Sequence, residues 1–235
     1  MKFFDNYRKP EGKLGEMIAK SMNKEHTPVS LWGLSHLDIN DNDIVLDVGC
    51  GGGINLKRMS EKAKKVYGLD YSEKSVEISK KVNETQIQQG KVDVIHGDVS
   101  NLPFEDETFD IVTAFETVYF WPDLAQCFGE VKRVLKPGGI FLIGMESNGS
   151  ENNKVMGFFK TIINMETYND SQLISYLKEN DYSKITAYIR DSKNKRELIR
   201  EIESDSIVES QRPDEFNKSS LSNRFVQWAC VVAVK

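Results

Sequence analysis

Long apolar runs, paired cysteines and an excess of positive charge are all missing from this 235-residue chain. No stretch reaches the ~18 apolar residues that a membrane-spanning helix needs. The opening Met1-Lys2-Phe3-Phe4-Asp5 lacks the apolar core of a secretory leader, so no membrane partner is expected. Cysteine occurs only at Cys50, Cys127 and Cys230. An odd count without C-x-x-C spacing supplies neither a disulfide framework nor a zinc site, and it fits a reducing, cytoplasmic setting with no metal expected. Lys and Arg number 31 against 36 Asp and Glu, for a net charge of −5. A protein that grips phosphates needs a basic face, so nucleic acid is not expected as a partner. The densest positive stretch, Lys193, Lys195, Arg196 and Arg200, reads as a solvated helix face. No Ser-His-Asp or Cys-His signature is present, and there are no internal repeats.

Hydrophobic residues make up 39% of the chain, enough for the core of one domain at this length. The most informative stretch is Ile44 to Asn55, I-V-L-D-V-G-C-G-G-G-I-N. Its Val- and Ile-rich start reads as a buried parallel strand. Gly49-Cys50-Gly51-Gly52-Gly53 then forms a turn in which φ > 0 is allowed and a ligand can lie against bare backbone. A helix over Ile54 to Lys65 follows, its first N–H groups facing the same crevice. A second apolar run, Val66 to Leu69, closes on Asp70. An acid about 20 residues after a glycine loop, at the end of the second strand, is placed to accept hydrogen bonds from a ribose diol. The plainer reading of Asp70 is a cap for the helix beginning at Ser72.

The ligand class follows from what accompanies the loop. Ile54-Asn55 stands where a phosphate loop carries Gly-Lys-Ser/Thr, and Ile54 occupies the third glycine of a dinucleotide fingerprint. Asp47, on the strand just before the loop, would repel a pyrophosphate and suits a cation. The pattern therefore calls for an adenosine bearing positive groups rather than phosphates.

These residues resemble class I S-adenosylmethionine-dependent methyltransferases of the small-molecule type. V-L-D-V-G-C-G-G-G and G-L-D-Y-S match the first two motifs of that family. H-G-D-V-S-N-L-P-F-E-D-E-T-F-D-I-V (His96 to Val112) resembles the adenine-binding segment and fourth strand, and V-L-K-P-G-G-I-F-L-I (Val134 to Ile143) the turn into the fifth. The likeness covers about Asn40 to Met145. It implies S-adenosylmethionine as cofactor, held by Asp47, Gly49, Cys50, Gly51, Asp70, Tyr71, Asp98, Val99 and Phe115. Asp98 would accept from the adenine amino group, as a carboxylate can, and the Val99 N–H would reach a ring nitrogen. Glu116 and Tyr119 would lie near the substrate. A small side chain suits Cys50's place in the loop, where packing explains it better than reactivity.

The implied fold is α/β: a Rossmann-like, doubly wound, seven-stranded, mostly parallel sheet with an antiparallel last strand. N-terminal helices and an insertion before the last strand are added to it. One domain spans residues 1–235, with a helical lid at 1–40, a cofactor-binding core at 41–145 and a substrate-side half at 146–235 carrying an insertion at 190–224. Helices are expected over Lys13 to Met22, Val29 to Leu37, Ser72 to Gln88, Asp123 to Leu135, Val155 to Met165 and Tyr168 to Lys178. Further strands are expected at Val92 to Ile95, Phe109 to Phe115, Ile140 to Met145, Ile185 to Ile189 and Phe225 to Val234. Asn148 to Glu151 reads as a loop, Glu197 to Ile202 as helical, and the rest of the insertion as either a substrate-side feature or unstructured. Phe115, Tyr119, Phe120 and Trp121, at the end of the fourth strand, suit a pocket wall or the core equally, with Trp121 favouring the core beside Pro122.

The expected reaction is in-line transfer of a methyl group to a nucleophilic atom of a small molecule, which requires no protein nucleophile. Where the acceptor must lose a proton, Glu116, His36 or His26 are the available groups. Two alternatives share the loop and acid: a nicotinamide-dependent oxidoreductase, and a non-catalytic adenosyl-ligand-binding protein on the same fold. A protein acceptor is a third arrangement open to an acidic chain of this size.

Overall fold

A computed structural model describes residues 6–146, 165–191, 196–203, 206–213 and 227–235. Two short helices come first, α1 (Gly12–Glu25) and α2 (Thr27–Leu34). The core then alternates β1 (Ile44–Val48), α3 (Ile54–Met59), β2 (Lys65–Asp70), α4 (Glu73–Val82), α5 (Glu84–Gln88), β3 (Val92–His96), β4 (Phe109–Phe115), α6 (Leu124–Val134) and β5 (Leu135–Met145). After it come α7 (Asp170–Glu179), β6 (Ser183–Asp191), β7 (Arg196–Glu203), β8 (Ser206–Pro213) and β9 (Gln227–Val234).

The sheet has nine strands in the order β3-β2-β1-β4-β5-β9-β6-β7-β8. Strands β1 to β5 run parallel, and β9 inserts antiparallel between β5 and β6. The order reverses beside β1, so β1 and β4 diverge at their carboxyl ends and open the crevice where α/β sheets take ligands. Alternation along each strand divides the core. Leu46, Val48, Val112, Ala114, Phe141 and Ile143 face α6 and α7 on one side. Val45, Val66, Ile111, Phe115 and Leu142 face α2, α3 and α4 on the other. Both faces are covered, which is why these strands read as continuous apolar runs.

The expected seven-strand sheet is thus extended by two strands. Glu197 to Ile202, read as helical, lies in strand β7, paired with β6 from Ile185↔Ile202 to Asp191↔Arg196. Helix propensity amounts to only tenths of a kcal/mol per residue, and cross-strand pairing with burial on both faces overrides it. Glu197 points to one side, where it accepts from the Trp32 indole (2.8 Å) and pairs with Arg212. Arg200 and Ile202 point to the other, where Arg200 pairs with Asp170 of α7 and with Glu209. Arg200 is therefore an ion-pair partner within a strand, not part of a solvated helix face. Exposed along its length, β8 forms the outer edge.

Three boundaries also shift. Helix α3 stops at Met59 rather than Lys65. The helix expected over Ser72 to Gln88 breaks at Asn83, whose buried amide donates to the carbonyls of Gly53 and Ser79 (both 2.9 Å). Strand β5 begins at Leu135, ahead of the Pro137-Gly138-Gly139 turn, with a register shift against β4. The loop expected at Asn148 to Glu151, nearly all of the helix at Val155 to Met165, Lys193, Lys195 and residues 214–226 lie outside the described residues.

Phe115 depends on two glycines. A Cβ at Gly33 of α2 would lie 2.7 Å from its ring, and one at Gly144 of β5 would lie 2.5 Å away. The ring fills the slot between helix and sheet. Gly144→Ala overpacks that slot and is expected to lower the unfolding free energy by about 1–3 kcal/mol in urea denaturation; unchanged stability would contradict this packing.

Candidate functional site

The glycine turn is clipped to the neighbouring strand. The Gly49 and Cys50 N–H groups both donate to the Leu69 carbonyl, at 2.7 and 3.1 Å. Gly49 has φ +75°, and a Cβ there would meet the Thr117 hydroxyl at 2.1 Å. Gly51 has φ +52°, and a Cβ there would meet nothing within 4 Å. So Gly49 is needed for close packing, whereas Gly51 leaves its backbone bare to the crevice.

Asp70 sits across from that bare backbone. Its side chain accepts from the Gly51 N–H through Oδ2 (2.8 Å) and from the Ser72 N–H through Oδ1 (2.9 Å). A carboxylate has about four acceptor positions, so these two N–H donors do not exhaust it. Burial pushes its pKa up, while the two N–H bonds pull it down. The capping of α4 falls to Ser72 itself, which accepts from the Ser75 N–H at 3.2 Å. Asp47 is buried beneath the loop, accepting from the Thr113 hydroxyl at 2.7 Å. Its burial, and the nearby Asp70, hold its pKa up at about 7. Burial likewise raises the Cys50 thiol well above its usual value, in keeping with a packing role.

Two adjoining cavities share Arg8, Gly49, Asp70, Tyr71, Thr117 and Phe120. The first is lined by Asp47, Cys50, Gly51, Phe115 and Glu116 and by residues of the N-terminal helices. The second contains Asp98 and Val99. Of the eleven residues singled out from sequence, ten line one or both. Asp98 sits in a turn, its Oδ1 engaged by the N–H and hydroxyl of Ser100. Tyr119 is the exception: it is packed into the core, its hydroxyl 3.4 Å from Glu116 Oε1. Phe120 lines both cavities, and Trp121 stacks on Phe141 while also touching the second cavity.

Also lining this cleft, Glu116 follows β4 with φ 56°, unusual for a residue with a side chain. Its Oε1 accepts from the Glu146 N–H, and Oε2 faces His26 Nδ1 at 3.9 Å. Glu146 Oε2 lies 3.5 Å from the same nitrogen. Burial acts to lower the His26 pKa, but Glu146 and Glu116 outweigh it and hold it up at about 9. Burial raises Glu116 to about 7, against the pull of His26. His36 lies elsewhere. It stacks on Tyr188 at 3.9 Å, 3.6 Å from Glu197, and burial brings it down to about 4. It is therefore removed from the candidate proton acceptors.

Sequence reasoning missed Arg8, Asn23, Ser30 and Glu146. Asn23 donates to the Gly52 carbonyl at 3.1 Å, and the Arg8 carbonyl accepts from the Tyr71 hydroxyl. No local motif marks these residues; docking of the N-terminal segment brings in Arg8, Asn23 and Ser30, and Glu146 arrives at the end of β5 beside Glu116.

The crevice thus offers an acid with free acceptor positions, bare glycine backbone and a second buried acid. These fit a ligand with a diol and positive groups and oppose a pyrophosphate. Fold and site together define an adenosyl-ligand-binding protein of Rossmann-like type. A family described as "Methyltransferase domain" matches residues 46–143. "Putative methyltransferase YrhH" of Bacillus subtilis (strain 168) is 32% identical over 123 residues, 52% of this chain and 67% of that protein. A demethylmenaquinone methyltransferase of Bacillus mycoides (strain KBAB4) is 40% identical over 107 residues, 44% of each chain. A "Probable S-adenosylmethionine-dependent methyltransferase" of Mycolicibacterium smegmatis is 36% identical over 99 residues, but the match spans only 36% of its length. Among solved structures, geranyl diphosphate C-methyltransferase from Streptomyces coelicolor A3(2), in complex with S-adenosyl-L-homocysteine among other ligands, has a TM-score of 0.66 at 15% identity. That match covers 96% of this chain and 85% of the other.

This chain belongs to the class I S-adenosylmethionine-dependent methyltransferases. Its cofactor is S-adenosylmethionine, and neither the oxidoreductase nor the non-catalytic alternative is favoured.

Two predictions follow from the acids. Removing Asp70 would leave ribose hydroxyls without a charged acceptor, a loss on the order of 1.5–3 kcal/mol. Asp70→Ala should therefore weaken S-adenosylmethionine binding about tenfold or more by calorimetry, and unchanged affinity in a folded variant would remove the ribose assignment. The raised pKa of Asp47 means that the folded, ligand-free protein holds its proton more tightly than the unfolded chain does. Stability is then fully present below the ordinary value of 3.8 and is lost as pH rises through about 7. Asp47→Asn should raise the melting temperature at pH 8 and leave it nearly unchanged at pH 4; an equal effect at both would contradict this.

Proposed function

We propose that the protein transfers a methyl group from S-adenosylmethionine to a nucleophilic atom of a small molecule by in-line displacement. The observation that carries this reading is one cleft lined both by the glycine loop and Asp70 and by Phe115, Glu116 and Phe120. Asp70 holds the ribose, and Asp98 with the Val99 N–H holds the adenine. Gly49, Cys50, Gly51 and Asp47 surround the amino-acid portion, with Tyr71 beside Asp70. When bound, the cofactor supplies an activated methyl group on a sulfonium centre. The protein's part is to align the acceptor with it and to keep water away, and alignment of two bound reactants contributes roughly 7–11 kcal/mol.

Phe115, Phe120 and Glu116 line the acceptor end, with Tyr119 supporting Glu116 from the core. Residues 1–40 act as a lid, since Tyr7, Met22, Asn23, His26 and Ser30 line the cleft. The core is residues 41–145, and residues 146–235 form the substrate-side half. A small apolar or part-polar acceptor is supported by the names of curated relatives, which include demethylmenaquinone and sterol methyltransferases. Most of those relatives extend well beyond the matched stretch, which spans 34% of a sterol 24-C-methyltransferase. Among the described residues no helix is long and apolar enough to cross a membrane, and the three cysteines are free and buried. These features support a cytoplasmic setting.

Incubation of the protein with methyl-tritiated S-adenosylmethionine and a fractionated cell extract tests the acceptor class. Label should appear in the low-molecular-weight fraction. Label confined to precipitated protein would replace the small-molecule reading with a protein acceptor.

A further inference from the structure

The groups around Glu116 carry one more inference. His26, Glu116 and Glu146 come from α1's C-terminal cap and the ends of β4 and β5. One ligand atom from each lies within 4.8 Å of the others. The two distances from His26 Nδ1, 3.5 and 3.9 Å, fall outside good hydrogen-bond geometry. Among the described residues this buried nitrogen has no hydrogen-bond partner. Two ligands bound to one tetrahedral cation at ~2.0–2.1 Å stand about 3.3 Å apart, close to the spacing seen here. A buried ring nitrogen aimed at two carboxylate oxygens, yet bonded to neither, is arranged as a ligand set.

The surroundings support the same reading. Glu116 Oε1 is held by the Glu146 N–H, with the Tyr119 hydroxyl near it, which leaves Oε2 directed at His26. Such outer hydrogen bonds orient metal-binding carboxylates. Glu116 adopts its left-handed backbone at this point, and strain of that kind gathers at functional sites. His26 and Glu116 both line the cleft that holds the cofactor-binding residues, so a cation between them would have an open side facing the acceptor.

We propose that His26, Glu116 and Glu146 bind a first-row divalent cation of the Zn²⁺ or Mn²⁺ type, which coordinates an oxygen or nitrogen donor of the methyl acceptor. One imidazole with two carboxylates is a mixed set that suits such ions better than Ca²⁺, which prefers oxygen ligands alone. Three protein ligands leave a position for the acceptor, as in catalytic rather than structural sites. The sequence gives no hint of this set, because its members stand at positions 26, 116 and 146 with no motif spacing. The acceptor's role in the proposal rests on the methyl-transfer reading above; cation binding does not.

Calorimetric titration of the metal-stripped full chain with ZnCl₂ and, separately, MnCl₂ tests the site. One equivalent of at least one ion should bind in the micromolar range. His26→Ala and Glu146→Gln should each weaken it by about tenfold or more, with melting curves reporting that both variants fold and S-adenosylmethionine titrations reporting that the cofactor site survives. Asp70→Ala should do the reverse, losing cofactor and keeping the ion. Absence of binding by either ion, or equal binding by wild type and His26→Ala, would overturn the cation site. Loss of S-adenosylmethionine binding by the wild type would instead overturn the methyltransferase reading and leave the cation result standing.

Discussion

The carboxylate of Asp70, fixed between the N–H groups of Gly51 and Ser72, is the contact on which the geometry of the glycine turn depends. It ties the glycine turn after β1 to the end of β2, so two chain segments that diverge from the switch point share one acceptor. The remaining lone pairs of that carboxylate face the crevice. Gly49 and Cys50 reinforce the arrangement by donating to the Leu69 carbonyl, one residue before Asp70. Nothing here requires a long helix: α3 has six residues. Backbone donors and a single acid shape this end of the crevice.

Electrostatics then select the ligand. Asp47, Asp70 and Glu116 all line the cleft, and burial raises the pKa of all three. Gathering carboxylates out of water is unfavourable until a positive charge arrives. A cationic ligand beside Asp47 and Asp70 would relieve that cost, and a phosphate-rich ligand would worsen it.

The central βαβ unit was legible because its signals are local. Val- and Ile-rich runs mark β1, the glycines mark the turn, and Asp70 closes β2 at a spacing that geometry dictates. Other features depend on contacts that local sequence does not carry. Arg196–Glu203 has helix-forming composition, yet β6 pairing and the burial of Glu197 beside Trp32 make it a strand. Tyr119 lies near the expected substrate end by position, but the 3-10 turn at Val118–Phe120 rotates it into the core and leaves Phe120 at the cleft. His26 and His36 looked alike in sequence; docking of the N-terminal helices brings one to Glu116 and stacks the other on Tyr188. Asn23 and Arg8 reach the glycine loop by the same docking.

Calorimetric titration of the full chain with S-adenosylmethionine and, separately, with NAD tests the central claim most directly. Micromolar binding of S-adenosylmethionine with no binding of NAD is the predicted result. A folded sample that binds NAD, or that ignores S-adenosylmethionine, would contradict the assignment of the crevice to a cationic adenosyl ligand.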